Sequence, residues 1–412
     1  MRASQHILII GFVWPEPDST AAGKRMMQLI YLFLAQGWKI TFASAAADSD
    51  YMFDIKSIGV EKVSIELNNS SFDDFVLKLQ PSIVVFDRFM IEEQFGWRVT
   101  ENCPDALRVL NTEDLHCLRA ARYLAFKENR PFTNTDLFSD TAKREVASIL
   151  RCDLSLIISD AEINLLLDQF KVDAALLHHL PFMLDNIDEA TIRSWPSFES
   201  RADFITIGNF LHEPNRDAVF YLKQEVWPLI RKKLPQAQLR IYGAYPSHKI
   251  LELHQAKEGF NIMGRAANAE EAVKSARVCL APLRFGAGIK GKLTEAMQCG
   301  TPSVTTDIGA EAMHGELPWS GVIVNTPEEI ATAAIKLYTD KDAWQTAQQN
   351  GVNIINSFYS KTLLGKELIN RVLAIQQQLE KHRIKNFTGA MLMHHTLAST
   401  KYMSRWIEAK NK

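Results

Sequence analysis

Short β-rich runs alternate with amphipathic helical patterns from one end of this 412-residue chain to the other. The runs of the first half are near-continuous apolar segments: HILIIGF at 6–12, KITFAS at 39–44, SIVVF at 82–86, LRVLN at 107–111 and LSLIIS at 154–159. Such segments are typical of strands buried on both faces of a parallel sheet. Between the first two, apolar residues recur at helical spacing from about Ala22 to a stop at Gly37. The pattern predicts a βαβ domain.

A second βα series follows a polar break. Between Leu184 and Asp203 no apolar period is sustained, and the chain is too long for one core, so a domain boundary is expected there. Further β-rich runs begin at Phe204, Leu239, Phe260, Val278, Ser303 and Gly321. The predicted fold class is α/β, with two doubly wound, Rossmann-like domains facing a central cleft. The predicted divisions are a first domain at 1–185, a linker at 186–202, a second domain at 203–358 and a C-terminal helix with a basic tail at 359–412.

Composition argues against several classes of protein. The formal net charge of −2 gives no global reason to expect nucleic-acid binding. Five scattered cysteines without a CxxC pair argue against a disulfide framework and a cysteine zinc site, and they fit a reducing cytoplasm. The apolar run near the N-terminus ends at Pro15, which is too early for a signal peptide or a membrane span.

The stretch RFGAGIKGKLTEAMQCG (284–300) connects a predicted strand to a predicted helix. Its glycines allow the backbone to approach a ligand, and a loop that opens a helix exposes N–H groups and the positive end of the helix dipole. Lys290 and Lys292 add positive charge, and Glu295 can accept hydrogen bonds from vicinal hydroxyls. A nucleotide sugar offers both a diphosphate and such hydroxyls. The alternative is an ordinary strand-to-helix turn.

The segment APLRFGAGIKGKLTEAMQCGTPSVTTDIGAEAM (281–313) closely resembles the donor-binding segment of family 4 glycosyltransferases. The resemblance extends over most of the chain, with varying specificity. It implies the GT-B fold, transfer with retention of configuration, a nucleotide-sugar donor on the second domain and the acceptor on the first. It also implies that the C-terminal helix at 359–412 crosses back to the first domain. The family usually has a glutamate eight positions before Glu295, where this sequence has Ala287. Backbone N–H groups of the glycine loop are expected to replace that contact.

Three further segments resemble the family, each with its own departures. The segment at 204–230 resembles the start of the second domain, where many members carry an arginine and a lysine for the diphosphate; here the nearest positions are Asn209 and Asn215. Only Gly23 remains of a glycine pair that lies against the donor phosphates, and the preceding Ser19 or Thr20 is a candidate helix cap. The turn IMGRAAN resembles the part that contacts the base, although its arginine could equally be a solvated loop residue.

The segment LNTEDLHCLRAAR (110–122) resembles the part where related enzymes place a histidine near the transferred sugar; the alternative is a structural or exposed histidine. The catalytic residues implied by the resemblance are His116, Lys290 and Glu295. The donor-binding residues implied by it are Gly23, Asn209, Arg216, Gly264, Arg265, Gly286, Ala287, Gly288, Ile289 and Lys292.

The predicted function is transfer of a sugar from a UDP- or GDP-linked donor to a hydroxyl of a carbohydrate, lipid-linked or protein acceptor, in the synthesis of a glycan, glycolipid or surface polysaccharide. No cofactor is expected beyond that co-substrate. No metal is expected either, since neither a convincing DxD cluster nor an HExxH pattern is present. The alternatives are a nucleotide-sugar epimerase or phosphorylase of the same fold, or a non-catalytic nucleotide-sugar-binding protein.

The C-terminal region is basic, with ten Lys/Arg against three Asp/Glu from Ser360 to Lys412. This tail could rest on an anionic membrane surface, so the expected location is cytoplasmic with possible peripheral contact at the inner face of the membrane. The alternative is a helix packed on the protein with a solvated basic face.

Overall fold

The computed structural model describes residues 5–394 together with Trp406 and Lys410. These residues form two α/β domains, each built on a parallel sheet. The first sheet has the order β3-β2-β1-β4-β5-β6-β7 and the second the order β10-β9-β8-β11-β12-β13. We call the parts that contain these sheets the first and the second domain.

The first sheet consists of β1 (His6–Gly11), β2 (Lys39–Ser44), β3 (Glu61–Ser64), β4 (Ile83–Asp87), β5 (Leu107–Asn111), β6 (Leu154–Ile157) and β7 (Leu177–His179). Its helices are α1 (Ala21–Leu34), α2 (Ser71–Leu79), α3 (Phe89–Asn102), α4 (His116–Lys127), α5 (Asp140–Arg151) and α6 (Asp160–Asp168). The short helix α7 (Glu189–Ser194) lies in the segment that the sequence predicts as a linker.

The second sheet consists of β8 (Ala202–Ile207), β9 (Leu239–Tyr242), β10 (Phe260–Gly264), β11 (Ala276–Ala281), β12 (Ser303–Thr305) and β13 (Gly321–Ile323). Its helices are α8 (Glu213–Tyr221), α9 (Trp227–Lys233), α10 (His248–Leu251), α11 (Ala269–Ser275), α12 (Gly291–Gln298), α13 (Asp307–Ala310), α14 (Pro327–Thr339) and α15 (Lys341–Phe358). Three helices follow: α16 (Lys361–Gln377), α17 (Leu379–Lys385) and α18 (Phe387–Met393).

The prediction of two doubly wound α/β domains is confirmed, and every predicted strand is present. The sequence missed β3 and β7. Both are edge strands, and neither is a buried apolar run: β3 reads EKVS with exposed ends, and β7 reads LHH. An edge strand needs apolar side chains on fewer positions, so its sequence signal is weak.

Local sequence also explains where α1 begins. The Oγ1 of Thr20 accepts a hydrogen bond from the backbone N–H of Gly23 at 2.8 Å, so Thr20 is the helix cap. The helix then packs Met26, Leu29 and Ile30 into a core on one face of the first sheet. This packing fixes the N-terminal end of α1 beyond the carboxyl edge of that sheet.

Helix α16 leaves the second domain and packs on the first. Its side chains Leu368, Ile369 and Val372 are buried in the core that also contains α1 and β1. The chain thus passes between the domains twice, and the two passages touch where the Leu184 N–H donates to the Tyr359 carbonyl at 2.7 Å.

The order of each sheet reverses between two central strands, β1 and β4 in the first and β8 and β11 in the second. Doubly wound sheets bind ligands beyond the carboxyl ends of the strands at this point. Residues after all four strands line one cleft of about 740 Å³ between the domains. The predicted central cleft is therefore present.

Candidate active site

The glycine-rich loop follows β11 and leads into α12. Gly286 and Gly288 adopt φ values of 146° and 65°, which side chains rarely tolerate, so the turn requires glycine. Within the described residues, the backbone N–H groups of 286–291 have no hydrogen-bond acceptor in the protein. These groups and the start of α12 line the cleft, and free N–H groups at the start of a helix are suited to bind an anion.

Two lysines stand beside this loop, and both have a pKa lowered to about 8 by burial. The Nζ of Lys290 donates to the Gly288 carbonyl, which braces the loop. The Nζ of Lys292 donates to the Asn215 Oδ1 at 2.8 Å. Asn215 in turn donates to the Asn209 carbonyl at 2.8 Å. The two asparagines therefore hold Lys292 at the cleft.

Glu295 lies one turn into α12 and forms an ion pair with Lys24 of α1, with 2.7 Å between Oε1 and Nζ. The two residues are 271 positions apart and belong to different domains. An anionic side chain at the mouth of the cleft is thus already held in place by a cation of the first domain. No motif in the sequence singled out Lys24.

His116 is the first residue of α4, where its backbone N–H donates to Glu145 at 2.9 Å. Its Nε2 lies 3.5 Å from the Asp114 Oδ1, and its ring meets Phe89 edge-on. Burial lowers the pKa of His116 to about 4 although Asp114 favours the charged form. The imidazole is therefore neutral near pH 7 and can donate or accept a hydrogen bond in the cleft.

The two domains also meet at the rim of the cleft. The Tyr245 hydroxyl lies 3.0 Å from both carboxylate oxygens of Glu16, and its ring meets Tyr51 edge-on. Arg265 donates to the Ser19 Oγ at 3.3 Å, and its guanidinium lies 4.6 Å from the centre of the Tyr51 ring. Aromatic and cationic groups thus surround the end of the cleft where the base is predicted to bind.

Most of the residues predicted for the site line this one cleft. They are His116, Asn209, Arg265, Gly286, Ala287, Gly288, Ile289, Lys290, Lys292 and Glu295.

Three predicted residues lie outside the wall of the cleft. Arg216 forms an ion pair with Glu213, one turn earlier on the surface of α8. Gly264 ends β10 with a φ of 71°, and its neighbour Arg265 reaches the cleft instead. Gly23 is buried in the first turn of α1, where a Cβ would collide with the backbone of Glu16. Gly23 therefore shapes the loop before α1 and does not face the cleft itself.

Further charged and polar residues that the sequence did not single out also line the cleft: Glu16, Lys24, Arg88, Glu113, Asp114, Arg119, His212 and Tyr245. Most of these residues come shortly after a strand, so the only feature of the sequence that indicated them was their position after a buried apolar segment. Residue type alone could not separate them from solvated loop residues.

Within the described part of the chain, no three His, Cys, Asp or Glu side chains are grouped in a way that could hold a metal ion. None of the helices described is long and apolar enough to cross a membrane. All five cysteines are buried free thiols.

Residues 201–340 match the family model described as Glycosyl transferases group 1. No curated protein matches the chain in sequence. Sucrose-phosphate synthase from Thermosynechococcus elongatus has a similar structure, with a TM-score of 0.66 and 15% identity over 92% of this chain and 99% of that one. A structure of Anabaena HepE in complex with UDP and glucose is also similar, with a TM-score of 0.65 and 13% identity over 90% of this chain and 100% of that one.

A mutant of S. aureus TarM in complex with UDP has a TM-score of 0.56 and 15% identity over 73% of this chain. This chain spans only 58% of TarM. The matched second domain and the arrangement of both sheets define the class. The chain has the GT-B fold, and the match of its second domain supports a glycosyltransferase. Its second domain is of the group 1 type.

Proposed function

We propose that this glycosyltransferase moves a sugar from a nucleoside diphosphate to a hydroxyl acceptor with retention of configuration. The observation that supports this most directly is the meeting of free loop N–H groups, two lysines and one carboxylate on the wall of a single cleft. The N–H groups and the two lysines bind phosphate oxygens, and the carboxylate binds vicinal hydroxyls.

In the proposed complex the diphosphate lies on residues 286–291 with Lys290 and Lys292 beside it. The carboxylate of Glu295 accepts hydrogen bonds from the ribose hydroxyls, either in place of the ion pair with Lys24 or in addition to it. The base lies toward Arg265. Structural neighbours that are described with UDP make UDP sugars the first donors to test, with GDP sugars second.

The chemical problem is to stabilise the negative charge that develops on the diphosphate as the anomeric C–O bond breaks. Preorganised N–H groups and ammonium groups do this without a protein acid. The acceptor oxygen bonds to the anomeric carbon on the same face, and its proton passes to the leaving phosphate oxygen. Neutral His116 hydrogen-bonds the transferred sugar. The ammonium groups of Lys290 and Lys292 supply the positive charge that a metal ion would otherwise provide, so we propose a metal-independent reaction.

The acceptor is a carbohydrate, a lipid-linked group or a protein, and the product a glycan, glycolipid or surface polysaccharide. We place the reaction in the cytoplasm, with peripheral contact of the basic C-terminal tail at the inner face of the membrane. Of that tail, residues 395–405, 407–409, 411 and 412 lie outside the described residues. Exposed Trp406, with Lys410 over its ring, is the part described there.

A thermal-shift screen of nucleoside diphosphates and their sugars tests the donor. A ligand that binds the folded state at 100 times its Kd stabilises it by about 2.7 kcal/mol, so the donor is recognised by its shift. We expect one base to stabilise the protein selectively, and we expect Glu295→Ala to reduce the stabilisation by every nucleotide because the ribose contact is lost. Absence of any shift from UDP, GDP or their sugars would refute the proposal.

Product analysis separates the remaining alternatives. Sugar transfer to an added hydroxyl acceptor, with the anomeric configuration kept by NMR and EDTA without effect, supports the proposal. Epimerised donor in the absence of acceptor indicates an epimerase, and dependence on inorganic phosphate indicates a phosphorylase. Donor binding without any product indicates a binding protein, an alternative suggested by Ala287 and Asn209 at positions where the family usually has charged groups.

A further inference from the structure

The wall of the cleft formed by the first domain contains groups that the donor does not need. Phe12, Arg88 and Glu113 line this wall. Phe12 directly follows β1 and Arg88 directly follows β4, the two strands between which the first sheet reverses its order. A doubly wound sheet presents its ligand site at this place. Phe12 and Arg88 therefore stand at the ligand position of the first domain, and Glu113 lines the same wall shortly after the neighbouring strand β5.

Glu113 is held by a chain of hydrogen bonds that begins in the core. Its Oε1 accepts from the Asn111 Nδ2 at 2.6 Å, and the Asn111 Oδ1 accepts from the Arg25 Nε at 3.1 Å. Arg25 is 1% exposed. Glu113 itself has a φ of 66°, a costly backbone conformation for a glutamate that is kept only where its surroundings impose it. The carboxylate is thus fixed in orientation before any ligand arrives.

Burial and the nearby charge of Asp87 raise the pKa of Glu113 to about 7, against the opposing charges of Arg25 and Arg88. A surface carboxylate would be fully solvated and mobile. The carboxyl group of Glu113 is instead shielded from water by burial, and its hydrogen bond to Asn111 and its backbone conformation hold it at the wall.

Arg88 also has a positive φ, of 76°. Its Nε is buried, and in the described structure this atom has no hydrogen-bond partner. The guanidinium lies 5.0 Å from the centre of the Phe12 ring. Phe12 is 42% exposed. A buried donor without a partner is costly in a folded protein, and a ligand that accepts its hydrogen bond removes that cost.

The segment that carries Glu113 lies close to the glycine-rich loop at 286–291. A Cβ on Gly288 would lie 2.9 Å from the Cβ of Asp114, the neighbour of Glu113. Arg122 of α4 also donates to the Gly286 carbonyl at 2.9 Å. The glycine loop and the segment that carries Glu113 are therefore in contact, so a sugar held by the loop lies within reach of a ligand on this wall.

We propose that Phe12, Arg88 and Glu113 form the acceptor subsite and that this subsite takes a saccharide. A sugar hydroxyl both donates and accepts, which matches a carboxylate next to a guanidinium. The C–H face of a pyranose covers the exposed Phe12 ring. A lipid tail would need a continuous apolar groove, which a single ring between charged groups does not provide. The inference rests on the proposed transferase function.

In this arrangement Glu113 accepts a hydrogen bond from a neighbouring hydroxyl of the acceptor sugar, which aims the attacking hydroxyl oxygen of that sugar at the anomeric carbon. The new C–O bond forms as the bond to the diphosphate breaks, and the proton leaves with the diphosphate. Glu113 is an acceptor-binding residue, and its loss affects the acceptor side of the kinetics.

The test compares Glu113→Gln and Phe12→Ala with the wild type, using the UDP or GDP sugar found in the donor screen. The acceptors are a panel of methyl glycosides and disaccharides, with 1-octanol and a serine- and threonine-containing peptide as competitors. We expect transfer to a saccharide, a KM for that acceptor raised about tenfold or more in each variant, and an unchanged KM for the donor. The matched controls are Glu101→Gln and Phe387→Ala, both on exposed surface away from the cleft.

Stabilisation by UDP or GDP, measured by thermal shift, is expected to be the same in the variants and the wild type, which shows that they are folded. Transfer only to octanol or the peptide would overturn the inference. So would acceptor kinetics of Glu113→Gln and Phe12→Ala that equal those of their controls. A wild-type protein without nucleotide stabilisation or transfer would instead refute the proposed function itself.

Discussion

At the scale of single residues, Lys290 has the most demanding environment in the cleft. It is 9% exposed, and its Nζ is bonded to the loop it supports. In the proposed complex its charge faces the developing charge of the leaving diphosphate, so we predict that Lys290→Ala lowers kcat by about 10² to 10³, the loss found when one such donor is removed. Steady-state kinetics with the donor sugar measure this.

Lys341→Ala is the matched control, since that lysine pairs with Glu199 on the surface of the second domain. It is expected to keep the wild-type rate. A Lys290→Ala enzyme with wild-type kcat would show that the loop works without its lysine, and the charge stabilisation would then have to come from backbone N–H groups and α12.

The same residues predict a dependence on pH. Lys290 and Lys292 have pKa values of about 8 in the folded protein because burial disfavours their charged forms. Below pH 8 both are charged, and above it they are neutral, so binding of UDP must restore the protons. We expect affinity to fall by about tenfold per lysine between pH 7 and pH 9.

The stability of the unliganded protein changes in the opposite sense. In the unfolded chain these lysines stay protonated up to about pH 10.5, so between pH 8 and 10.5 the unfolded state binds more protons, and their contribution to stability rises with pH. Thermal shifts by UDP at pH 7 and pH 9, each against its own unliganded baseline, separate the two effects. Equal shifts at both pH values would contradict the assignment of the lysines to the phosphate site.

Residues of the candidate site could be predicted from the sequence only where they lie close to one another along the chain. The glycines, Lys290, Lys292 and Glu295 lie within ten positions and share one loop and one helix. The pairing of Glu295 with Lys24 spans 271 positions and depends on how two domains face each other, which no local pattern contains.

At the scale of elements, the turn between β11 and α12 depends on glycine for two separate reasons. Gly288 has a φ of 65°, and a Cβ there would collide with Asp114 across the cleft. Gly37 after α1 has a similar φ of 73° but open space around it. Comparing substitutions at Gly37 and Gly288 therefore separates the effect of backbone strain from the effect of a steric collision.

We predict that Gly288→Ala abolishes stabilisation by UDP and that Gly37→Ala keeps it, while both lose about 1 kcal/mol of folding free energy to the unfavourable φ. Urea unfolding gives the stability, and thermal shift with UDP gives the binding. Retained UDP binding in Gly288→Ala would mean that the loop is free to move away from the first domain.

The elements that sequence could predict are those with a redundant signal. Buried central strands such as β1 and β4 are apolar at nearly every position, so each was recognised. The edge strand β3 has only partly buried and exposed positions, and its pairing with β2 comes from the sheet as a whole. The phosphate contact predicted for Gly23 stays a prediction, and what the structure adds is that this glycine packs against the backbone of Glu16 in the loop before its helix.

At the scale of the whole molecule, direct bonds between the domains hold the cleft closed. Arg122 of the first domain donates to both carboxylate oxygens of Glu311 in the second, at 2.7 and 2.6 Å. The same guanidinium donates to the Gly286 carbonyl of the donor loop. Closure and the shape of the loop are therefore linked through one side chain.

We predict that Arg122→Gln favours the open arrangement and weakens the apparent affinity for UDP by about tenfold, within the usual range of coupling energies. Small-angle scattering should show a larger radius of gyration than that of the wild type in the presence of UDP. Arg144→Gln is the matched control because Arg144 makes a similar pair with Glu93 inside the first domain. Identical scattering of Arg122→Gln and the wild type would contradict the role of this bond in closure.

The double passage of the chain at Leu184 and Tyr359 has a mechanical consequence. Two covalent connections that are hydrogen-bonded side by side act as one hinge, so the two domains rotate about this point and do not slide past each other. The displacement of one domain relative to the other grows with distance from the hinge. The cleft therefore opens most on the side farthest from this contact.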